Sequence, residues 1–275
     1  MDRCSVRPWR RTLAAVMLLW GLATEAAEAP ASPPPPLPEL RVGVPHLPPW
    51  AFHDADCRLT GIAVENRRRL TERAGRRFVG VPLPLEAGAE ARRKAGVALF
   101  LGDPKLSADL EGTLPLPFGH TIETIAVYQG PWNITATAPT SSLTVGARTQ
   151  RLAESLGFGD SRLVAGEVNG ALADAFVARR LDVLVGGREV VYVALMRRGW
   201  RAESLRSHTR RLGSHSVYYH LAKETEPIIG DALRGALEGF DWTLHDRQLR
   251  QRFLSPGMAR RPMLTPDCME GRPSD

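Results

Sequence analysis

The side chains able to do chemistry in this chain are many, but few fall into a pattern that chemistry requires. His46, His53, His120, His208, His215, His220 and His245 are scattered without metal-ligand spacing, so each reads as a satisfied or exposed imidazole. Ser214, His215 and Ser216 stand at the start of a strand, where successive side chains face opposite ways and a catalytic pair does not form. Glu167, Asp182 and Glu189 could act as cleft acids, but they lack paired spacing. No GxSxG elbow, HExxH, Walker loop or GxGxxG occurs. These residues predict no enzyme, no metal and no cofactor.

Of three cysteines, Cys4 lies in the N-terminal leader, leaving Cys57 and Cys268. In an oxidising compartment the two can pair, and a bridge over a loop of about 210 residues would stabilise by several kcal/mol in the chain-entropy model. Whether their Cα atoms approach stays open at the level of sequence. Arg151 and Arg188 suggest an anionic ligand or protein surface, against the plainer reading of solvated arginines.

The chain has 275 residues, 43% hydrophobic and 24% charged, with mean hydropathy −0.19 and net charge +6. That composition supports a packed core and excludes a multispanning membrane protein. Arg3, Arg7, Arg10 and Arg11 precede an apolar stretch over 12–22 and small residues at Ala23, Ala26, Ala27 and Ala29. This layout predicts a secretory signal peptide over 1–29 and a periplasmic protein. Removing its four arginines with Asp2, Glu25 and Glu28 leaves +5. The proline-rich segment 30–39 reads as a stiff polyproline II linker. The remaining charge is spread thinly, Arg67 to Arg69 being the compact run, and points to no nucleic-acid partner.

The elements that must position these groups alternate. Strands are predicted over 40–44, 78–81, 97–101 and 122–128, with a helix running to Ala74 and stopped by Gly75. After a Gly, Pro, Thr and Ser-rich stretch the rhythm restarts. Strands at 143–147, 162–165 and 181–185 enclose helices at 150–156 and 169–179. A β run over 216–222 and helices over 227–240 and 242–254 complete the chain. Such alternation predicts an α/β fold with parallel sheets.

Four stretches in this order resemble the family 3 periplasmic solute-binding proteins. They are Leu40-Arg41-Val42-Gly43-Val44 with Pro48-Pro49-Trp50-Ala51-Phe52 and Leu59-Thr60-Gly61; Leu116-Pro117-Phe118 before Val127-Tyr128; Leu143-Thr144-Val145-Gly146 with Arg180-Leu181-Asp182-Val183; and Ser216-Val217-Tyr218-Tyr219 with the closing helices. The resemblance implies the two-lobed type II periplasmic binding protein fold with two hinge strands. Lobe 1 would take 40–123 and, with the tail, 214–275; lobe 2 would take 124–213. It also implies a cleft closing on a small molecule for the membrane components of an ABC importer, with Trp50, Phe52, Phe118, His120, Arg151 and Arg188 as candidate ligand-binding residues.

The residues by which that family grips an amino acid are missing. Ala108, beside Asp109, stands where an arginine would hold the α-carboxylate. Gln150, Arg151 and Leu152 replace a small-residue helix start, and Gly186-Gly187-Arg188 replaces the aspartate for the ammonium group. His46 or Leu47 takes the place of a stacking tyrosine. A buried charge without its partner costs several kcal/mol, so the expected ligand is not an ordinary α-amino acid. A second resemblance fits a lost pocket: Val64-Glu65-Asn66-Arg67 and Gly102-Asp103-Pro104 are similar to stretches of the MxaJ and XoxJ type. These are binding-protein-like accessories of quinoprotein methanol dehydrogenases, and the similarity implies a periplasmic dehydrogenase or cytochrome as partner.

Overall fold

Leu40, Val42 and Val44 point one way from their strand and are buried, and Gly43 packs beneath Leu83 and Val97, so the first strand is covered on both faces. The computed structural model describes residues 36–103, 110–135, 139–259 and 261–264. The expected signal peptide over 1–29, most of the proline-rich linker, Ala108, Asp109 and Cys268 lie outside the described residues, and with Cys268 the expected pairing to Cys57.

The chain begins with β1 (Glu39–Val44), the short hairpin β2 (Phe52–His53) and β3 (Leu59–Thr60), and α1 (Ile62–Arg73). Next come β4 (Arg77–Pro82), α2 (Ala89–Lys94), β5 (Leu99–Gly102), the long β6 (Thr113–Tyr128) and α3 (Trp132–Thr135). The middle holds β7 (Thr144–Ala147), α4 (Gln150–Ser155), β8 (Arg162–Ala165), α5 (Ala173–Val177) and β9 (Val183–Gly187). Then follow α6 (Arg188–Met196), α7 (Ala202–His208), the long β10 (Thr209–Ala222), α8 (Glu226–Leu237), α9 (Trp242–Phe253) and α10 (Pro256–Ala259).

Eight strands form one sheet in the order β4-β1-β5-β10-β6-β9-β7-β8. Two parallel sets, β4-β1-β5 and β9-β7-β8, flank the antiparallel pair β10-β6. Strand pairing puts Thr124 opposite Gly213 and Glu123 opposite Ser214, beside a bulge between Arg211 and Gly213. The chain thus leaves its first half on β6 and returns on β10 at the same level of the sheet.

Three differences from the sequence reading have local causes. The helix expected over 169–179 opens as a π-type turn over Val168–Leu172, where Gly170 takes non-helical angles, and becomes regular only in α5. The strand expected over 216–222 starts seven residues earlier, because its pairing with β6 continues through polar, half-exposed positions that carry no apolar alternation. Residues 188–208 carry no clear periodic signal, yet they form α6 and α7. Val190, Val191, Val193, Ala194 and Leu195 are all buried, and such a run of apolar residues carries little helical period.

Packing joins the halves. Leu40, Val42, Leu99, Tyr219 and Leu233 form a core on one side, and Val145, Phe158, Val183 and Val185 another on the far side. A third core mixes the two, with Trp50, Phe52, Ile62, Leu249 and Phe253 packed together with Val168, Phe176, Val190 and Val193.

Candidate functional site

The carboxyl ends of β1, β5, β7 and β9 converge on a cleft, which is where open α/β sheets place ligands. Its cavity is about 80 Å³. The walls are mostly apolar. Leu47 and Trp50 come from the loop after β1, Leu101 from β5, Ile122 from β6, Val190 from α6 and Val217 from β10. Gly61 positions Trp50: at φ 127° it starts α1 so close to Trp50 that an added Cβ would lie 2.5 Å from the Trp50 carbonyl. That carbonyl accepts the Ala63 N–H at 2.9 Å, so the helix start and the indole are fixed together.

Four polar side chains line the cavity: Asp103, Thr124, Arg148 and His215. Arg148 follows β7 directly. Its guanidinium donates from Nη2 to Glu86 at 3.1 Å and from Nη1 to Glu167 at 3.1 Å, and its Nε also donates to Glu86. Burial disfavours charge on Glu86, and the Arg148 guanidinium outweighs it, holding that carboxyl below its ordinary range. Asp103 lies 3.1 Å from His215 Nε2. Gly186 and Gly187 close the floor with backbone alone. The charged groups here are therefore engaged with one another, and three carboxylates surround one guanidinium.

Behind the cleft lies a second polar cluster, in which His120 and Glu189 are buried and Asp246 and Arg250 partly so. Arg250 on α9 donates to Asp246 at 2.6 Å, ion-pairs with Glu189 on α6, and stacks over Trp50 with its guanidinium 4.9 Å from the ring centre. Asp246 also accepts from Asn66 at 2.9 Å and lies 3.0 Å from His120 Nδ1. His120 Nε2 and the Tyr219 hydroxyl are 2.5 Å apart. Burial lowers the His120 pKa, with Asp246 opposing. Burial raises the Tyr219 hydroxyl pKa well above its ordinary value. Burial also opposes ionisation of Asp246, yet the hydrogen bonds and charges of His120 and Arg250 prevail and hold it far below the carboxylate range. Glu189 goes the other way, pushed up by burial despite Arg250.

Of the residues singled out from sequence, Trp50 lines the cleft. Phe52 packs edge-on to Phe253 at 6.0 Å, and Phe118 lies between Trp242 and Tyr219 at 4.5 and 5.0 Å, both within cores. His120 belongs to the buried cluster. Arg151 is exposed on α4, and Arg188 is exposed and donates to Glu123 at 2.9 Å; neither lines the cavity. The sequence reading missed Arg148, Asp103, Thr124 and His215. A positional signal for Arg148 existed, since it is the first residue past the carboxyl end of a strand. The family resemblance points instead to 150–152, where Thr149 caps α4 by accepting the Leu152 N–H at 3.1 Å. Among the described residues, no group of three or more His, Cys, Asp or Glu side chains could hold a metal ion.

No protein-family model matches the chain, and no curated protein matches it in sequence. Solved structures do. The arginine-bound amino acid ABC transporter substrate-binding protein AbpA of Streptococcus pneumoniae superposes with a TM-score of 0.60 at 13% identity, over 80% of this chain and 96% of that one. A histidine-bound ABC uptake transporter substrate-binding protein of Streptococcus pneumoniae gives 0.56 at 13% identity, over 78% and 92%. The GluR0 ligand-binding core in complex with L-glutamate gives 0.56 at 17% identity, over 79% and 98%. The chain has the type II periplasmic binding protein fold that these structures share. No helix among the described residues is long and apolar enough to cross a membrane.

Proposed function

We propose that the chain is a non-catalytic periplasmic binding protein whose cleft takes a ligand other than an ordinary α-amino acid and delivers it to the membrane components of an ABC importer. In this reading 124–213 is one lobe and 40–123 with 214–275 the other, the chain crossing where Glu123 pairs with Ser214. The observation that carries the reading is Arg148, the guanidinium of the cleft lining, already gripped by Glu86 and Glu167. An α-carboxylate would have to displace one of them, and an ammonium group would have to draw Asp103 from His215. Each exchange leaves a charge or buried nitrogen without its partner. A cavity of about 80 Å³ with apolar walls instead suits a compact, uncharged molecule. The excess of carboxylates around Arg148 disfavours an anionic ligand.

The shared core of Trp50, Phe52 and Phe253 with Val168 and Val190 favours a second reading, since lobes packed in common do not swing apart freely. The protein would then act as a rigid accessory docked to a periplasmic oxidoreductase such as a quinoprotein methanol dehydrogenase. A thermal-shift series separates the readings. A ligand at about 100 times its Kd adds about 2.7 kcal/mol of stability. The twenty amino acids are expected to leave the melting temperature unchanged, and a small neutral solute to raise it. A shift of several degrees with a common amino acid, abolished in Arg148→Gln, overturns the proposal. No shift with any solute, together with stoichiometric binding to a purified dehydrogenase, favours the accessory role.

A further inference from the structure

The basic residues are spread evenly along the chain, but their excess over carboxylates falls mostly in one stretch. Between Thr124 and Gly213 stand twelve arginines against seven carboxylates. Arg148, Arg188, Arg198 and Arg211 form ion pairs. The other eight have no carboxylate within ion-pair distance among the described residues. Several of these meet where α6 runs into α7.

Arg197 and Arg201 border a surface concavity of about 560 Å³ together with Trp200 and Glu203. Arg197 and Arg198 border a neighbouring concavity of about 730 Å³. Arg198 is held in place, donating to Asp174 at 2.7 Å and to the carbonyls of Ala194 and Asn169 at 3.0 Å each. Arg180 lies close enough to act on the same Asp174. That carboxylate is thus spent on Arg198, and Arg197 beside it is exposed with no carboxylate of its own. Trp200 is seated against Phe176 and His208, with centroids 5.4 Å away in each case. The indole is rigid and only partly exposed.

We propose that this face docks an acidic segment of a partner protein. Guanidinium forks match carboxylates in two parallel hydrogen bonds, and arginine with tryptophan is the pairing that concentrates binding energy at protein interfaces. The concave form and the tucked indole favour side chains of a protein over a lipid surface, which is gripped by apolar residues that project outward. None of Arg197, Trp200 and Arg201 lines the cleft, so the inference stands or falls apart from the ligand proposed for that site.

The test is fluorescence anisotropy of a labelled, glutamate-rich ten-residue peptide with the full chain. Binding is expected at about 50 mM salt and to weaken about tenfold or more by about 300 mM, where screening shortens the reach of the charges. Arg197→Glu with Arg201→Glu is expected to weaken binding at least tenfold. A control with the same charge change at exposed positions elsewhere, Arg58→Glu with Arg247→Glu, should change it about twofold or less; equal melting temperatures establish that both variants fold. Equal weakening by the two pairs, or no binding at low salt, overturns the proposal. Binding to phosphatidylglycerol vesicles that depends on Arg197 and Arg201, without peptide binding, replaces it with a membrane surface.

Discussion

Two clusters in this protein are built from the same parts and sit in different solvents. In the cleft, Arg148 lies between Glu86 and Glu167, with the pair Asp103 and His215 nearby; behind it, Arg250 lies between Asp246 and Glu189, with His120 nearby. The side chain of Glu167 is 59% exposed and that of Glu86 37%, whereas that of Glu189 is 8% exposed and that of His120 fully buried. Water can solvate Glu86 and Glu167 when their partner is lost, though not the largely buried Arg148, Asp103 and His215. It cannot reach most of the second, so there each group depends on the others. The buried cluster also ties α1, β6 and α9 to α6, across the two halves of the sheet. The same chemistry serves as an adjustable site in one place and as a structural knot in the other.

The contrast is broken or sharpened first by Arg250→Met. Removing this guanidinium leaves Asp246 and Glu189 without their cation, and a loss of about 3–5 kcal/mol in chemical denaturation is expected. A loss below about 1 kcal/mol would mean that the buried cluster is as well solvated as the cleft. The pH dependence comes next. His120 has a lowered pKa in the folded protein, so the unfolded chain takes up a proton that the folded one does not. Stability therefore falls as pH drops below about 6.5, by at most about 1.4 kcal/mol per pH unit for one such group. Asp246 acts in the same sense at lower pH: its contribution is complete above about pH 3.9 and is lost as the medium acidifies through its depressed pKa. Glu189, with its raised pKa, contributes with the opposite sign and loses stability as pH rises. His53, His220 and His245 are also lowered, chiefly by burial. Thermal melts between pH 7 and 5 should thus show a falling midpoint, with a smaller slope in His120→Asn. An unchanged slope places the acid sensitivity elsewhere. The smallest effect belongs to the cleft, where Arg148→Gln is expected to cost about 1 kcal/mol or less because Glu86 and Glu167 turn to water.

How far the sequence could be read differs between these same regions. The strands around Val42, Val145 and Val183 were legible because buried parallel strands are short apolar runs set off by turns. The apolar stripe of α8, with Ile229, Leu233 and Ala236 buried, was legible from its spacing. The absence of a carboxylate at Gly186 and Gly187 was visible too, and both line the cavity through backbone alone. Arg148 was not, because its partner Glu86 is 62 residues away and Glu167 is 19 away. Its place just past the end of a strand is the one local feature that sets it apart from Arg151, three residues on and exposed. Asp246 and Arg250 have the spacing of an ordinary i, i+4 pair on a helix surface. Only the approach of α1, β6 and α6 turned that pair inward.

By itself, then, the order of residues determined the alternation of strands and helices and the excess of arginine, because hydrophobic period and composition are properties of neighbours along a chain. The tertiary structure decided which arginines face a cavity, which are buried and which remain without a carboxylate. Those outcomes depend on groups brought together across the sheet, and on how much water each one keeps when they meet.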